Sequence, residues 1–237
     1  MSPSPRHPRP VSLTGVLVVV CILLASAAAG FLAHRLFTPQ RGALYPETGP
    51  RAQARPEASA VGPGRKMPEQ LPDIVLPALD GTPHRLTQWK GKPLLINFWA
   101  TWCEPCRREI PLLKTLHRER ATEGLQIVGI AVDSLEATRQ YALSQGIDYP
   151  VLVGEQGGLE AVAAFGMDTV LPFSVFVDEK GRILTLKIGE LHRDEAQLIL
   201  ERLAAVSAGK VSPGDARSEL SAALQNLNAR RMADTAQ

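Results

Sequence analysis

The segments PLLINFWA (residues 93–100) and LQIVGIAVD (residues 125–133) are apolar at nearly every position, not at every second one. Strands of that kind are buried on both faces, so each reads as an interior strand of a covered sheet. Between them, residues 104–121 carry Ile110, Leu113, Leu116 and, less regularly, Leu112 at helical spacing. Pro111 falls inside that helix and is expected to kink it, because it removes a backbone donor. SLEATRQYALSQG (residues 134–146) follows with a serine in the N-cap position and a terminal glycine, a helix bounded at both ends. Strand, helix, strand, helix is the order of a parallel α/β sheet.

The flanking sequence extends this unit without repeating it. Ahead of it, from about Leu71, DIVLPALDGTPHRL (residues 73–86) gives two short apolar runs joined at Asp80-Gly81, a hairpin-turn dipeptide. Behind it come a short helix at residues 158–165, a hairpin at FSVFVDEKGRILTLKIG (residues 173–189) and a closing helix at residues 194–206. Residues 68–207 therefore form one domain, with enough chain to bury roughly two-thirds of its unfolded surface. Beyond it, Leu220, Leu224 and Leu227 keep helical spacing but have little apolar company, so residues 208–237 are expected as a polar, frayed or disordered C-terminal tail.

The N-terminus has a different composition. No Asp, Glu, Lys or Arg occurs between Arg9 and Arg35, and within the candidate anchor at residues 11–36 the stretch 11–33 is almost wholly apolar. About 20 such residues span a hydrocarbon core. A cleaved signal peptide competes with this anchor, since Arg6 and Arg9 make a basic start and Ala27-x-Ala29 resembles a cleavage site. The run exceeds the roughly 7 to 15 residues usual for such a peptide, which favours an uncleaved transmembrane signal anchor in contact with the lipid bilayer. Residues 1–10 are then a cytoplasmic arm, and residues 37–67, a mixture of Pro, Gly, Ala and charge, a flexible linker. Both readings export the domain. Cys21 reads as a buried apolar thiol in the anchor. A formal net charge of +2 over 237 residues gives no reason to expect a nucleic-acid partner.

That leaves Cys103 and Cys106, in FWATWCEPCRREIP (residues 98–111). A closed zinc site needs four ligands, and the nearby His84, His117 and His192 each sit in polar sequence as solvated imidazoles would, so no metal and no cofactor is expected. A static disulfide over a two-residue spacer would restrain little unfolded-chain entropy. A C-x-x-C between a strand and a helix is instead a redox pair. Cys103, at the helix N-terminus, is the nucleophile, and Cys106, one turn deeper, is the resolving thiol.

These residues resemble the active-site stretch of the thioredoxin superfamily, and specifically the membrane-anchored TlpA/ResA-like thiol-disulfide oxidoreductases, whose pattern is an apolar strand, Phe-Trp-Ala-x-Trp-Cys-x-x-Cys, basic residues and Glu-x-Pro. The resemblance implies a thioredoxin fold with an N-terminal β-hairpin and an inserted strand-helix unit. It implies a cis bond between Leu171 and Pro172 facing the cysteines, with Leu171, Pro172 and Trp102 contacting a partner segment, while Phe173 replaces a threonine common after this proline. Asn97 stands where thioredoxin itself has a buried aspartate, and the functional acid of the TlpA/ResA-like members corresponds to Glu109. Glu104 and Pro105 tune thiol acidity. Trp99 is expected to pack.

The implied activity is disulfide exchange with protein thiols or disulfides in the periplasm or otherwise outside the cytoplasm, from an anchor in a bacterial inner membrane. The family further implies a reductant, for example toward apocytochrome c in cytochrome c maturation, supplied by a membrane thiol-electron donor. Two other readings stay open: Cu(I) delivery or holding by the thiolates, and a peroxiredoxin-like peroxidase, although Ala100 stands where the peroxidase frame needs threonine three residues before Cys103.

Overall fold

The computed structural model describes residues 67–168 and 170–235. The expected anchor at residues 11–36 and the linker up to residue 66 lie outside the described residues. Among the described residues no helix is long and apolar enough to cross a membrane.

The two doubly apolar runs form β3 (Leu94–Trp99) and β4 (Gln126–Ala131), which pair in parallel at the centre of a five-stranded sheet. The sheet order is β5 (Val151–Val153), β4, β3, β6 (Phe173–Val177), β7 (Ile183–Ile188), with β6 antiparallel to both β3 and β7. A separate antiparallel hairpin, β1 (Val75–Pro77) and β2 (Pro83–Arg85), turns at Asp80-Gly81. Gly81 takes a φ of +88° there, which a side chain would resist, while Asp80 accepts from the Thr82 amide at 2.9 Å.

Alternation along β3 sorts its side chains into two cores. Leu95 and Trp99 point to the side covered by α1 (Glu104–Glu119), α4 (Arg193–Ser207) and α5 (Pro213–Thr235), where Ile110, Leu113, Ile199, Leu203 and Leu220 are buried with them. Leu94, Ile96 and Phe98 point the other way, to Val162 of α3 (Gln156–Ala164), Phe165 and hairpin residue Leu76. The helix α2 (Leu135–Gln145) joins β4 to β5, capped by Ser134, whose hydroxyl accepts from the Ala137 amide at 3.3 Å. Pro111 lies inside α1, and the helix continues past it to Glu119.

Two findings depart from the sequence reading. Strand β5 is not anticipated, because three residues are too few to show a period; it is defined by pairing with β4 and a bridge from Ala78 to Leu152. The expected polar tail is a 23-residue helix, α5. Ser212 caps its start, its hydroxyl accepting from the Asp215 amide at 3.1 Å, with Pro213 as the first helical residue. Ala216 and Leu220 are fully buried against the α4 side of the core, and Arg217 Nη2 donates to the Ile183 carbonyl at 2.8 Å. A narrow apolar stripe suffices because α4 already presents Leu203 and Val206 to it.

The docked helix predicts a stability cost where a loose tail would have none. Leu220→Ala should destabilise the domain by about 2 to 5 kcal/mol, read as a lower urea midpoint at unchanged slope. An unchanged midpoint would contradict the packing of α5.

Candidate functional site

Strand β3 ends at Trp99, and four residues later Cys103 opens α1 as its N-cap, with extended backbone angles of φ −86° and ψ 107°. The cap forms because Pro105, in the first turn, needs no hydrogen-bond acceptor, while the Cys106 amide donates to Cys103 Sγ at 3.3 Å. Cys103 and Cys106 are joined in a disulfide, with Cα atoms 5.3 Å apart. Cys103 keeps 6% of its surface and Cys106 none. Trp102 beside them is 68% exposed. The loop is tied to the end of β4: the Thr101 amide and hydroxyl both donate to Asp133 Oδ2, at 2.9 and 2.6 Å. Glu104 is exposed in the first turn and pairs with Arg108 at 3.2 Å, a solvent-screened contact of small energetic weight.

The bond between Leu171 and Pro172 is cis, directly before β6, whose first residue Phe173 pairs with Phe98 of β3. Pro172 thus stands at the same end of the sheet as the disulfide. Its carbonyl accepts from the Gly189 amide at 2.8 Å. Phe173 is buried and its ring stacks on Phe98, with 4.3 Å between centroids, so it fills the core under the sheet instead of shaping the open face. Val170 and Ile188 at this end remain exposed.

Glu109 lies three residues after Cys106 on the inner face of α1 and is 1% exposed. It is not a solvated glutamate paired with a neighbouring arginine; Arg108 turns outward to Glu190 and Glu104. Glu109 Oε1 accepts from Asn97 Nδ2 at 2.7 Å, and Oε2 from the Leu191 amide at 2.7 Å. Burial pushes its carboxyl up from the ordinary value of 4.5 to about 7, against the two hydrogen bonds, which favour the ionised form. The Asn97 amide also donates to Ser174 Oγ at 3.1 Å, while Asn97 Oδ1 is buried without a partner among the described residues. A cleft of about 370 Å³, lined by Arg108, Glu109, Thr115, Glu190 and His192, borders this carboxyl.

Trp99 packs as expected, fully buried. Gly129 of β4 makes room for it, since a Cβ there would stand 3.0 Å from Trp99 Nε1 and 3.3 Å from Tyr149 Cε2. Burial likewise pushes the Tyr149 phenol up. All three histidines are partly exposed and none enters the cysteine site. His117 packs edge-on to Tyr149 at 6.1 Å between centroids, and His84 bonds Thr82 and Gln88 at 3.1 and 2.8 Å. His192 is half-buried at the start of α4. Among the described residues no group of three or more His, Cys, Asp or Glu side chains converges as a metal site would need.

The structure therefore gathers Cys103, Cys106 and Glu109 on one helix, with Leu171 and Pro172 at the same end of the sheet. Sequence reasoning missed Asn97 as the partner of Glu109, the Leu191 amide, Ser174 and Asp133. One signal was present: Glu109 falls in the same stripe as Cys106, Ile110, Leu113 and Leu116, an acid on an apolar face that requires buried partners.

Residues 66–200 match the Redoxin family. Thiol-disulfide oxidoreductase ResA of Geobacillus thermodenitrificans is 28% identical over 189 residues, which is 79% of this chain and 95% of that protein. Thioredoxin-like protein YneN of Bacillus subtilis is 33% identical over 137 residues, 56% of this chain and 78% of that protein. A solved structure of a secreted thiol-disulfide isomerase from Corynebacterium glutamicum aligns at 26% identity with a TM-score of 0.50, covering 54% of this chain and 80% of that one.

A raised carboxyl pKa has a definite sign in stability. Between pH 4.5 and about 7 the folded chain holds the Glu109 proton more tightly than the unfolded chain, so stability falls as pH rises through that window. The full loss attributable to this group is roughly 3 kcal/mol. Glu109→Gln removes the titration, and Asn97 can turn its unpartnered Oδ1 toward the glutamine amide. Urea unfolding across the window should show the variant gaining on the parent as pH rises; parallel curves would contradict the buried acid.

Proposed function

This chain belongs to the Redoxin family as a ResA-like thiol-disulfide oxidoreductase of the thioredoxin superfamily, and on that premise we propose that it reduces protein disulfides outside the cytoplasm, with Cys103 as nucleophile and Cys106 as resolving thiol. The observation that carries this reading is the disulfide spanning the N-cap and first turn of α1. In the reduced protein a thiolate at Cys103 faces the positive end of the helix dipole and unpaired first-turn amides, which favour it over the thiol. It attacks one sulfur of a partner disulfide. A mixed disulfide forms and one partner thiolate leaves, taking a proton. Cys106 then loses its proton, attacks Cys103 Sγ and releases the second partner thiolate, so that two electrons pass to the partner and the Cys103–Cys106 disulfide is left.

Glu109 is the acid and base of the resolving step. It follows Cys106 by three residues on the same face, is shut from solvent, and with its carboxyl pushed up to about 7 it both takes and returns a proton near neutrality. Trp102, Leu171 and Pro172 receive the partner segment, an assignment supported by the exposure of Trp102 and by the cis Leu171–Pro172 bond at the same sheet end. Glu104 and Pro105 set the acidity of the pair from within the first turn. Anchoring by residues 11–36 in a bacterial inner membrane, with the domain in the periplasm, belongs to the same proposal; the similarity to a secreted isomerase supports the compartment. There the partners are exported thiols or disulfides, apocytochrome c among them, and a membrane thiol donor restores the dithiol.

Substitution of each cysteine tests the order of attack. Cys106→Ala should accumulate covalent complexes through Cys103 that dithiothreitol releases, and mass spectrometry would identify the trapped proteins. Cys103→Ser should trap little. Efficient trapping by Cys103→Ser but not by Cys106→Ala would reverse the roles. No trapping by either, with Cu(I) binding lost in both, would replace the redox reading by metal delivery.

A further inference from the structure

The loop between β7 and α4 touches both halves of the site. At one end the Gly189 amide donates to the Pro172 carbonyl at 2.8 Å; two residues on, the Leu191 amide donates to Glu109 Oε2 at 2.7 Å. A displaced loop would thus disturb the partner face and the acid together. What holds it is a buried set of charges. Lys187, 6% exposed on β7, donates through Nζ to the Ile188 and Glu190 carbonyls at 2.8 and 3.1 Å. Its charge is met by Glu195 Oε1 at 3.6 Å. Glu195 is fully buried in the first turn of α4, and its Oε2 accepts from the His192 amide at 3.0 Å.

One carboxylate beside a buried ammonium still needs its other contacts satisfied, because each charge has lost its water. The remaining contact comes from α5: Arg231 Nη1 lies 3.0 Å from Glu195 Oε1, and Nη2 lies 3.1 Å from Asp194. Backbone groups of Ile188, Glu190 and His192, on both sides of Leu191, are thereby tied to charges that end on the C-terminal helix. The Redoxin match stops at residue 200, before that helix begins.

We propose that Lys187, Glu195 and Arg231 are positioning residues for Glu109: the ion network, anchored on α5, holds the Leu191 amide against the carboxyl and so sets the pH at which the resolving step works. The inference rests on the proposed role of Glu109 in thiol exchange. The groups acting on that carboxyl are Asn97 from β3, Lys187 from β7, Glu190 and the Leu191 amide from the loop, and Tyr149 ahead of β5, while Cys106 lies three residues before it on the buried face of its own helix. Of these, Leu191 and Lys187 favour the ionised form and depend on the network. Weakening it therefore raises the proton affinity of Glu109.

The test is the pH profile of thiol alkylation by iodoacetamide in the reduced full-length chain, compared first among the parent, Arg231→Gln, Glu109→Gln and the double variant. Arg231 is partly exposed and belongs to neither apolar core. Arg230→Gln, on the exposed face of the same helix, is the control. Arg231→Gln should move the Glu109-dependent inflection upward by about half a pH unit, a threefold change in proton affinity. Arg230→Gln should not move it, and in the Glu109→Gln background the Arg231 substitution should have no further effect. Lys187→Met, which removes the cation nearest the loop, should move it in the same direction.

A profile for Arg231→Gln that overlays the parent, while Glu109→Gln differs, overturns this inference and leaves the role of Glu109 standing. A shift that persists without Glu109 also overturns it. If Glu109→Gln itself overlays the parent, the role of Glu109 in thiol exchange fails, and the positioning role fails with it.

Discussion

A single buried carboxyl ties the working parts of this domain together. Glu109 sits on the inner face of α1 among Cys106, Ile110 and Leu113, where an acid without partners would cost several kcal/mol. Its two oxygens are instead met from two different elements, the central strand through Asn97 and the loop after β7 through Leu191. The same contacts that make the residue tolerable fix the helix relative to the sheet. Because the disulfide lies at the N-terminus of that helix, the carboxyl and the sulfurs hold a constant relation.

The rest of the architecture serves that junction. Two parallel strands, β3 and β4, end side by side, and the loop from β3 to Cys103 is held at the end of β4 by Asp133, so the cysteines stand beyond the carboxyl ends of the central strands, where open α/β sheets place their ligand sites. On the other side of β3 the antiparallel β6 brings Pro172 to the same end. Phe173, Phe98 and Phe165 lock that strand from below, with Phe98 and Phe165 5.4 Å apart edge to face, leaving the upper face to exposed apolar residues such as Trp102.

Much of this was legible in the sequence, for physical reasons that vary by element. The doubly apolar runs, the capped α2 and the Asp80-Gly81 turn are governed by local periodicity and backbone preference, and each appears where those rules put it. Strand β5 has no local signature because its three residues are strand only by pairing with β4. Helix α5 escaped because its apolar stripe at Ala216, Leu220 and Leu224 is narrow, and the rest of its docking comes from arginines reaching Ile183, Asp194 and Glu195 across long sequence separations that no periodic pattern records. The cysteines and Glu109 could be named from spacing and resemblance. Asn97 as the partner of that acid could not, since the pairing exists only once α1 lies on β3.

The ionisation of Glu109 is directly observable. A carbon-13 NMR titration of the Glu109 carboxyl in the oxidised protein, assigned by its loss in Glu109→Gln, should give a midpoint at about 7, against the ordinary 4.5. A midpoint in the ordinary glutamate range would mean that the carboxyl is solvated and ionised throughout the neutral range, and the buried proton partner for the cysteine pair would not exist.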